Sequence, residues 1–154
     1  MNDKEPVKAA LGKAMALCAG RELCISDIAT KLTSWGITGK NIEIITATLV
    51  KEKFINEERF ARAFANDKFR HNKWGRIKIS YGLRMKKIPE SIIKEAIAEI
   101  PDEKYLSVLR ELIEAQKKKT SAKNSFDLKA KLARFALSRG FESYLVYDLL
   151  NESE

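Results

Sequence analysis

The sequence predicts an all-α protein of three tandem three-helix repeat units, and three observations carry that expectation. Among 154 residues, Lys, Glu, Ala, Leu and Ile dominate, while seven Gly and three Pro are too few for a loop-rich or all-β chain. Apolar residues recur at helical spacing in segments separated by short turns. The pattern also repeats: a shift of 51 residues lays Ile79 on Ile28, Leu83 on Leu32 and Ile88 on Ile37, then Ile93 on Ile42, Ala96 on Ile45 and Ile100 on Leu49. A looser third copy follows. The units are read as residues 1–53, 54–101 and 102–154, each too small to bury a core without its neighbours.

The elements follow in order. Residues 7–20 carry Val7, Leu11, Ala14, Met15, Leu17 and Cys18 and end at Gly20. Ser26 and Asp27 suit the cap of a second helix with Ile28, Leu32 and Trp35 inward, closed by Gly36 in the left-handed conformation. A third helix begins near Lys40 with Ile42, Ile45 and Leu49. Asn56 caps a fourth, whose Glu57 and Glu58 favour the positive helix end and whose apolar stripe is Phe60, Phe64 and Phe69. In residues 75–86, Ile77, Ile79, Tyr81, Leu83 and Met85 alternate with polar residues or Gly. Alone this reads as a strand; the 51-residue copy, residues 28–35, reads as helix and decides for helix. Pro89 fits the start of a sixth helix. Asp102 to Lys119 is a long helix with Tyr105, Leu106, Leu109, Leu112 and Ile113 inward, and Thr120 to Asn124 is a polar linker. Leu128, Leu132, Phe135 and Ala136 mark the eighth helix, stopped at Arg139-Gly140-Phe141, and Tyr144, Leu145 and Leu149 mark the last.

Charge is segregated. The net +8 is made of a block from Lys68 to Lys87 at +8 without an acid, a block from Lys117 to Arg139 at +7, and a remainder at −7. A solubility surface intersperses its signs; two basic blocks on an acidic body point to a polyanionic partner, nucleic acid first and an acidic protein face second. A merely solvated basic face is the plain alternative. Other classes are excluded. No apolar run is long enough to span a membrane, and Met1-Asn2-Asp3-Lys4-Glu5-Pro6 lacks a signal-peptide pattern. Cys18 and Cys24, six apart without a neighbouring His, suit neither a disulfide scaffold nor zinc and read as thiols in a reducing cytoplasm. No phosphate loop, metal helix or nucleophile motif occurs, so neither catalytic residue, metal nor cofactor is expected.

Several stretches together match the pattern of one known family. Phe54-Ile55-Asn56-Glu57-Glu58-Arg59-Phe60-Ala61 is similar to the family's aromatic, aliphatic, Asn/Asp, acidic, Phe-Ala signature. Asn72-Lys73-Trp74-Gly75-Arg76-Ile77-Lys78-Ile79 is similar to its basic-Gly-x-Ile block, and Leu83 to Ile88 to its Leu-x-x-Lys-Gly-Ile. Ala19 to Glu22 before Ser26, then Arg134-Phe135 and Arg139-Gly140-Phe141, complete the series, and the chain so read resembles the RecX family, bacterial regulators of the RecA recombinase. Lys87 stands where the family has Gly, and Gly82 where an acidic residue is common. A left-handed Lys costs about 1 kcal/mol, and a mid-helix Gly about as much relative to Ala.

The resemblance implies an elongated, curved right-handed array that is not an enzyme. It implies lodging on the RecA–DNA nucleoprotein filament, limiting its extension and its ATPase, strand-exchange and coprotease activities, and so modulating recombination, DNA repair and the SOS response. A cytoplasmic monomer is expected, binding RecA on DNA and weakly DNA itself. The basic face is read as Lys73, Trp74, Arg76, Lys78, Arg84, Lys86 and Lys87, with a second anchor of Lys117, Lys118, Lys119, Lys123, Lys129, Lys131 and Arg134. Arg suits bidentate contacts to phosphate or carboxylate. Trp74 reads more readily as packing at a helix joint than as a stacking platform, Trp35 as core, His71 as a surface helix end, and Tyr81 as either packing or contact. The competing reading is a stand-alone DNA-binding protein with residues 75–86 in a groove.

Overall fold

Nine α-helices and no strand make up the described residues, 4–152, of the computed structural model. Met1, Asn2 and Asp3, at the start of the stretch weighed for a signal-peptide pattern, and Ser153 and Glu154 at the end of the third unit lie outside the described residues. The helices are α1 (Lys4–Gly20), α2 (Ile25–Ser34), α3 (Lys40–Lys51), α4 (Glu57–Asn72), α5 (Arg76–Met85), α6 (Glu90–Ala98), α7 (Asp102–Lys119), α8 (Ser125–Ser138) and α9 (Ser143–Glu152). They pack in consecutive triplets, α1–α3, α4–α6 and α7–α9. An accessible surface of 9964 Å² exceeds the roughly 7,900 Å² of a compact monomer of this mass, so the array is elongated.

The 51-residue register is visible in the burial. Ile28, Ile79, Leu32 and Leu83 are all wholly buried. Each middle helix ends in the same turn. Ile37 N donates to Leu32 O (3.0 Å), Ile88 N to Leu83 O (3.1 Å) and Phe141 N to Ala136 O (3.4 Å). Gly36, Lys87 and Gly140 occupy the left-handed position between, at φ +84°, +62° and +93°. Lys87 thus adopts the conformation that Gly supplies in the other two units.

The core divides unequally. Ala10, Ala14, Leu23, Ile28, Leu32, Ile37, Ile45 and Leu49 of the first unit form one cluster with Ile55 of the second, with Trp35 partly buried against it, while Cys24 of the first unit joins the other cluster. The second and third units share one continuous cluster, in which Phe69, Tyr105 and Phe141 stack in series (centroids 5.8 and 5.1 Å apart).

The cap of α2 also departs from expectation. Cys24, not Ser26 or Asp27, holds the cap position, and Asp27 Oδ2 accepts from the Cys24 amide at 3.2 Å. Ser26 is drawn elsewhere: its hydroxyl donates to the Lys86 carbonyl in the second unit at 2.8 Å. Asn56 and Asn124 do cap α4 and α8, accepting from Arg59 N (2.9 Å) and Asp127 N (2.8 Å).

Candidate nucleic-acid interface

The basic middle helix is set by the third unit. The first-turn amides of a helix have no partners within it, and the cap residue of α5, Gly75, has no side chain to offer them. Gly75 N donates to Arg139 O (2.7 Å), Arg76 N to the Tyr105 hydroxyl (2.9 Å) and Ile77 N to Gly140 O (3.0 Å). The start of α5 therefore plugs into the turn between α8 and α9. Backbones meet so closely that a Cβ on Gly75 would stand 2.5 Å from Phe141 N, and nearer still to the Gly140 carbonyl.

The same joint is built a second time between the first two units, at longer reach. The start of α2 meets the end of α5 through side chains: Ser26 Oγ and Cys24 Sγ point to Lys86 O (2.8 and 3.9 Å), and Lys86 Nζ holds Asp27 Oδ1 at 2.6 Å. Ile25 N donates to Glu57 Oε2 (3.2 Å), and Arg59 Nε to Glu22 Oε1 (2.5 Å). Burial alone would raise the Asp27 carboxyl; hydrogen bonds from Lys86 and Cys24 outweigh it and hold the group below its ordinary range. Burial pushes Glu57 up, against the Ile25 amide, with Asp27 nearby adding to the rise.

Arg76 is expected on the open basic face and is instead turned into the joint. Its side chain is 20% exposed and donates to Glu142 Oε2 (2.9 Å) and Asp102 Oδ1 (2.7 Å), with its guanidinium 3.8 Å from the Tyr105 ring centroid. The Tyr105 hydroxyl also donates to Glu142 Oε1. Burial and that bond push the Tyr105 phenol far above its ordinary value. Arg84 lies on the surface but is held by Glu90 (2.5 Å). Lys86 is half-buried on Asp27.

Trp74 packs at the turn between α4 and α5. It is partly buried, edge-on to Phe64 (6.3 Å), with Lys68 and Lys78 ammonium groups 5.1 and 4.8 Å from its ring centroid. Lys73, in the left-handed conformation that stops α4, and Lys87 are exposed. A groove of about 770 Å³ between α2 and the second unit gathers Lys68, Trp74, Met85, Lys86 and Lys87 with Asp27 and Glu57. Lys68 was not singled out from the sequence.

In the third unit, Lys117, Lys118 and Lys119 form the exposed last turn of α7, where positive charge complements the helix end. Lys123 and Arg134 are exposed. Lys131 folds back on the linker, donating to Ser121 O (2.7 Å) and pairing with Asp127 (3.2 Å). Lys117 and Lys129 line a groove of about 450 Å³ with Arg110, Glu114 and Glu152. Among the described residues no group of three or more His, Cys, Asp or Glu is placed to hold a metal ion, and no helix is long and apolar enough to cross a membrane.

One surface feature was missed by charge counting. The alternation from Ile77 to Met85, wound on a helix, splits into two stripes. Ile79 and Leu83 are buried, while Ile77, Tyr81 and Met85 face outward at 55%, 61% and 66% exposure. The outer face of the basic helix is apolar along its centre.

Comparison with known proteins places these features. Residues 56–97 match the family model described as RecX, second three-helix domain, and residues 102–150 the model for its third three-helix domain. "Regulatory protein RecX" of Prosthecochloris aestuarii is 30% identical over 153 residues, covering 99% of this chain and 97% of its own. The protein of that name from Clostridium acetobutylicum is 31% identical over 131 residues; the alignment covers 82% of this chain and only 60% of that one. The crystal structure of RecX from Lactobacillus salivarius superposes with a TM-score of 0.85 over 97% of both chains at 18% identity, a likeness of fold.

Proposed function

Because this chain belongs to the RecX family of regulatory proteins, we propose that it regulates RecA by binding the RecA–DNA filament. There it restrains filament extension and, through it, ATPase, strand exchange and coprotease activity. The observation that carries the reading is the segregation of charge onto the second and third units. Lys73 and Lys87 around α5, and Lys117, Lys118, Lys119, Lys123 and Arg134 around the α7–α8 linker, are exposed there. The units are assigned as 1–53, 54–101 and 102–154, acting as a monomer in the cytoplasm where RecA works. Trp74, Lys78, Arg84, Lys86, Lys129 and Lys131 complete the basic faces, while Arg76 positions α5 from within. Two faces on one array gain avidity when both engage the same filament.

A stand-alone DNA-binding protein is the weaker reading. A recognition helix presents its N-terminal residues to base edges. The start of α5 is sealed against the third unit by Arg139, Gly140 and Tyr105.

A titration of RecA ATPase on single-stranded DNA tests the proposal. Suppression at protein well below one per RecA supports it. Suppression only when the protein is sufficient to cover the DNA lattice refutes it in favour of simple competition.

A further inference from the structure

We propose that the outer face of α5 is a protein-docking stripe, made by Ile77, Tyr81 and Met85, for a surface that surrounds an apolar patch with acidic side chains. The inference rests on the filament reading and sharpens it: α5 meets the protein wall of the filament, and the lysines of the third unit meet DNA phosphate.

The three side chains recur at intervals of four, so they form one line along the helix. More than half of each is exposed, although Ile79 and Leu83 on the opposite face already satisfy the core. Three large apolar groups aligned on a ten-residue helix differ from singly scattered ones. Lys78 and Arg84 flank the line on the same helix, and Lys73 and Lys87 stand just before and after it. No Asp or Glu occurs from Lys68 to Lys87; Glu90 holds Arg84, and Asp27, on Lys86, shares with Glu57 the groove beyond Met85.

The charge pattern selects among occupants. A second copy of the chain packed α5 to α5 would set cations against cations. A phosphate backbone would satisfy the rim and leave the apolar centre without a partner. A protein surface with acids around an apolar patch matches both the centre and the rim, and Tyr is among the residues that dominate such interfaces.

The test uses the whole chain with Ile77→Gln, Tyr81→Gln and Met85→Gln combined, and Tyr81→Gln alone as a milder variant. Helicity by circular dichroism checks folding, and anisotropy measures binding to bare single-stranded DNA and to the same DNA coated with RecA. Loss of at least about 30-fold in affinity for the coated DNA, with bare-DNA affinity unchanged, supports the stripe. Several results overturn it: unchanged affinity for the filament, a matching loss on bare DNA from bases stacking on Tyr81, or a dimer of the unaltered chain that the variant abolishes. Failure of the unaltered chain to bind RecA-coated DNA overturns the filament reading and the stripe with it, and is read without any variant.

Discussion

Gly75→Ala probes the joint between the second and third units. The backbone at Gly75 has φ −80°, which any residue adopts, so a change in stability reports contact, not strain. The added Cβ would lie 2.5 Å from Phe141 N and closer to the Gly140 carbonyl, all backbone atoms. Reaching ordinary contact requires the two units to part by about 1 Å, given carbon contacts near 3.5 Å. That separation would stretch Gly75 N to Arg139 O, now 2.7 Å, and Ile77 N to Gly140 O, now 3.0 Å, beyond bonding range. Two buried hydrogen bonds at about 1 kcal/mol each, with about 1–3 kcal/mol of overpacking, outweigh the gain of under about 1 kcal/mol from a stiffer unfolded chain. The net loss is about 3 kcal/mol, lowering Tm by about 6–12 °C for a chain of this length. Thermal unfolding followed by circular dichroism reads it. Gly12→Ala, where no atom lies within 4 Å of the new Cβ, is the control and gains up to about 1 kcal/mol. A Gly75→Ala melt within about 2 °C of the parent refutes the reasoning.

Lys87→Gly relieves a left-handed Lys and raises stability by about 0.5–1 kcal/mol, read from the urea midpoint; a lower midpoint would show that the turn needs the Lys side chain. Arg76→Met strands Glu142, whose side chain is 19% exposed, and costs about 3 kcal/mol. Combined with Glu142→Gln it costs less than the sum of the two, and strict additivity would deny the pair any coupling. Asp27 is held below its ordinary value of 3.8 in the fold. Its contribution is therefore complete above that pH and is lost as pH falls through the lower folded value. Glu57, raised above its ordinary value of 4.5, acts oppositely, contributing at acid pH and losing that contribution as pH rises through its folded value. Asp27→Asn should flatten the acid limb of the stability profile, and an unaltered limb would remove Asp27 from the account.

Helices and turns were legible because their signals are local. Asn56 four residues before Phe60 and Gly36 after Trp35 are short-range chemistry, and the 51-residue register carried residues 75–86 from an apparent strand to a helix. The joints were not legible, because they join atoms far apart in the chain. Nothing around Arg76 distinguishes it from Lys73 or Lys78, and its partner Glu142 lies 66 residues on. Gly75 and Gly140 each read as ordinary turn residues, and only their meeting makes both indispensable. The outer stripe was written in the alternation of Ile77, Tyr81 and Met85, but that pattern assigns no face until the helix is fixed.

The docking of α2 and of α5 onto the unit that follows each has a consequence for the order of events at the ribosome. Ser26 finds its acceptor 60 residues downstream, and Arg76 its carboxylate 66 downstream. While the chain is being made, the first turn of α5 has neither the Arg139 and Gly140 carbonyls nor the Tyr105 hydroxyl until those residues have emerged. The second unit then waits for the third, whereas the cluster of the first is complete once Ile55 has emerged. The start of α5 is seated only when the turn beyond α8 has reached solvent.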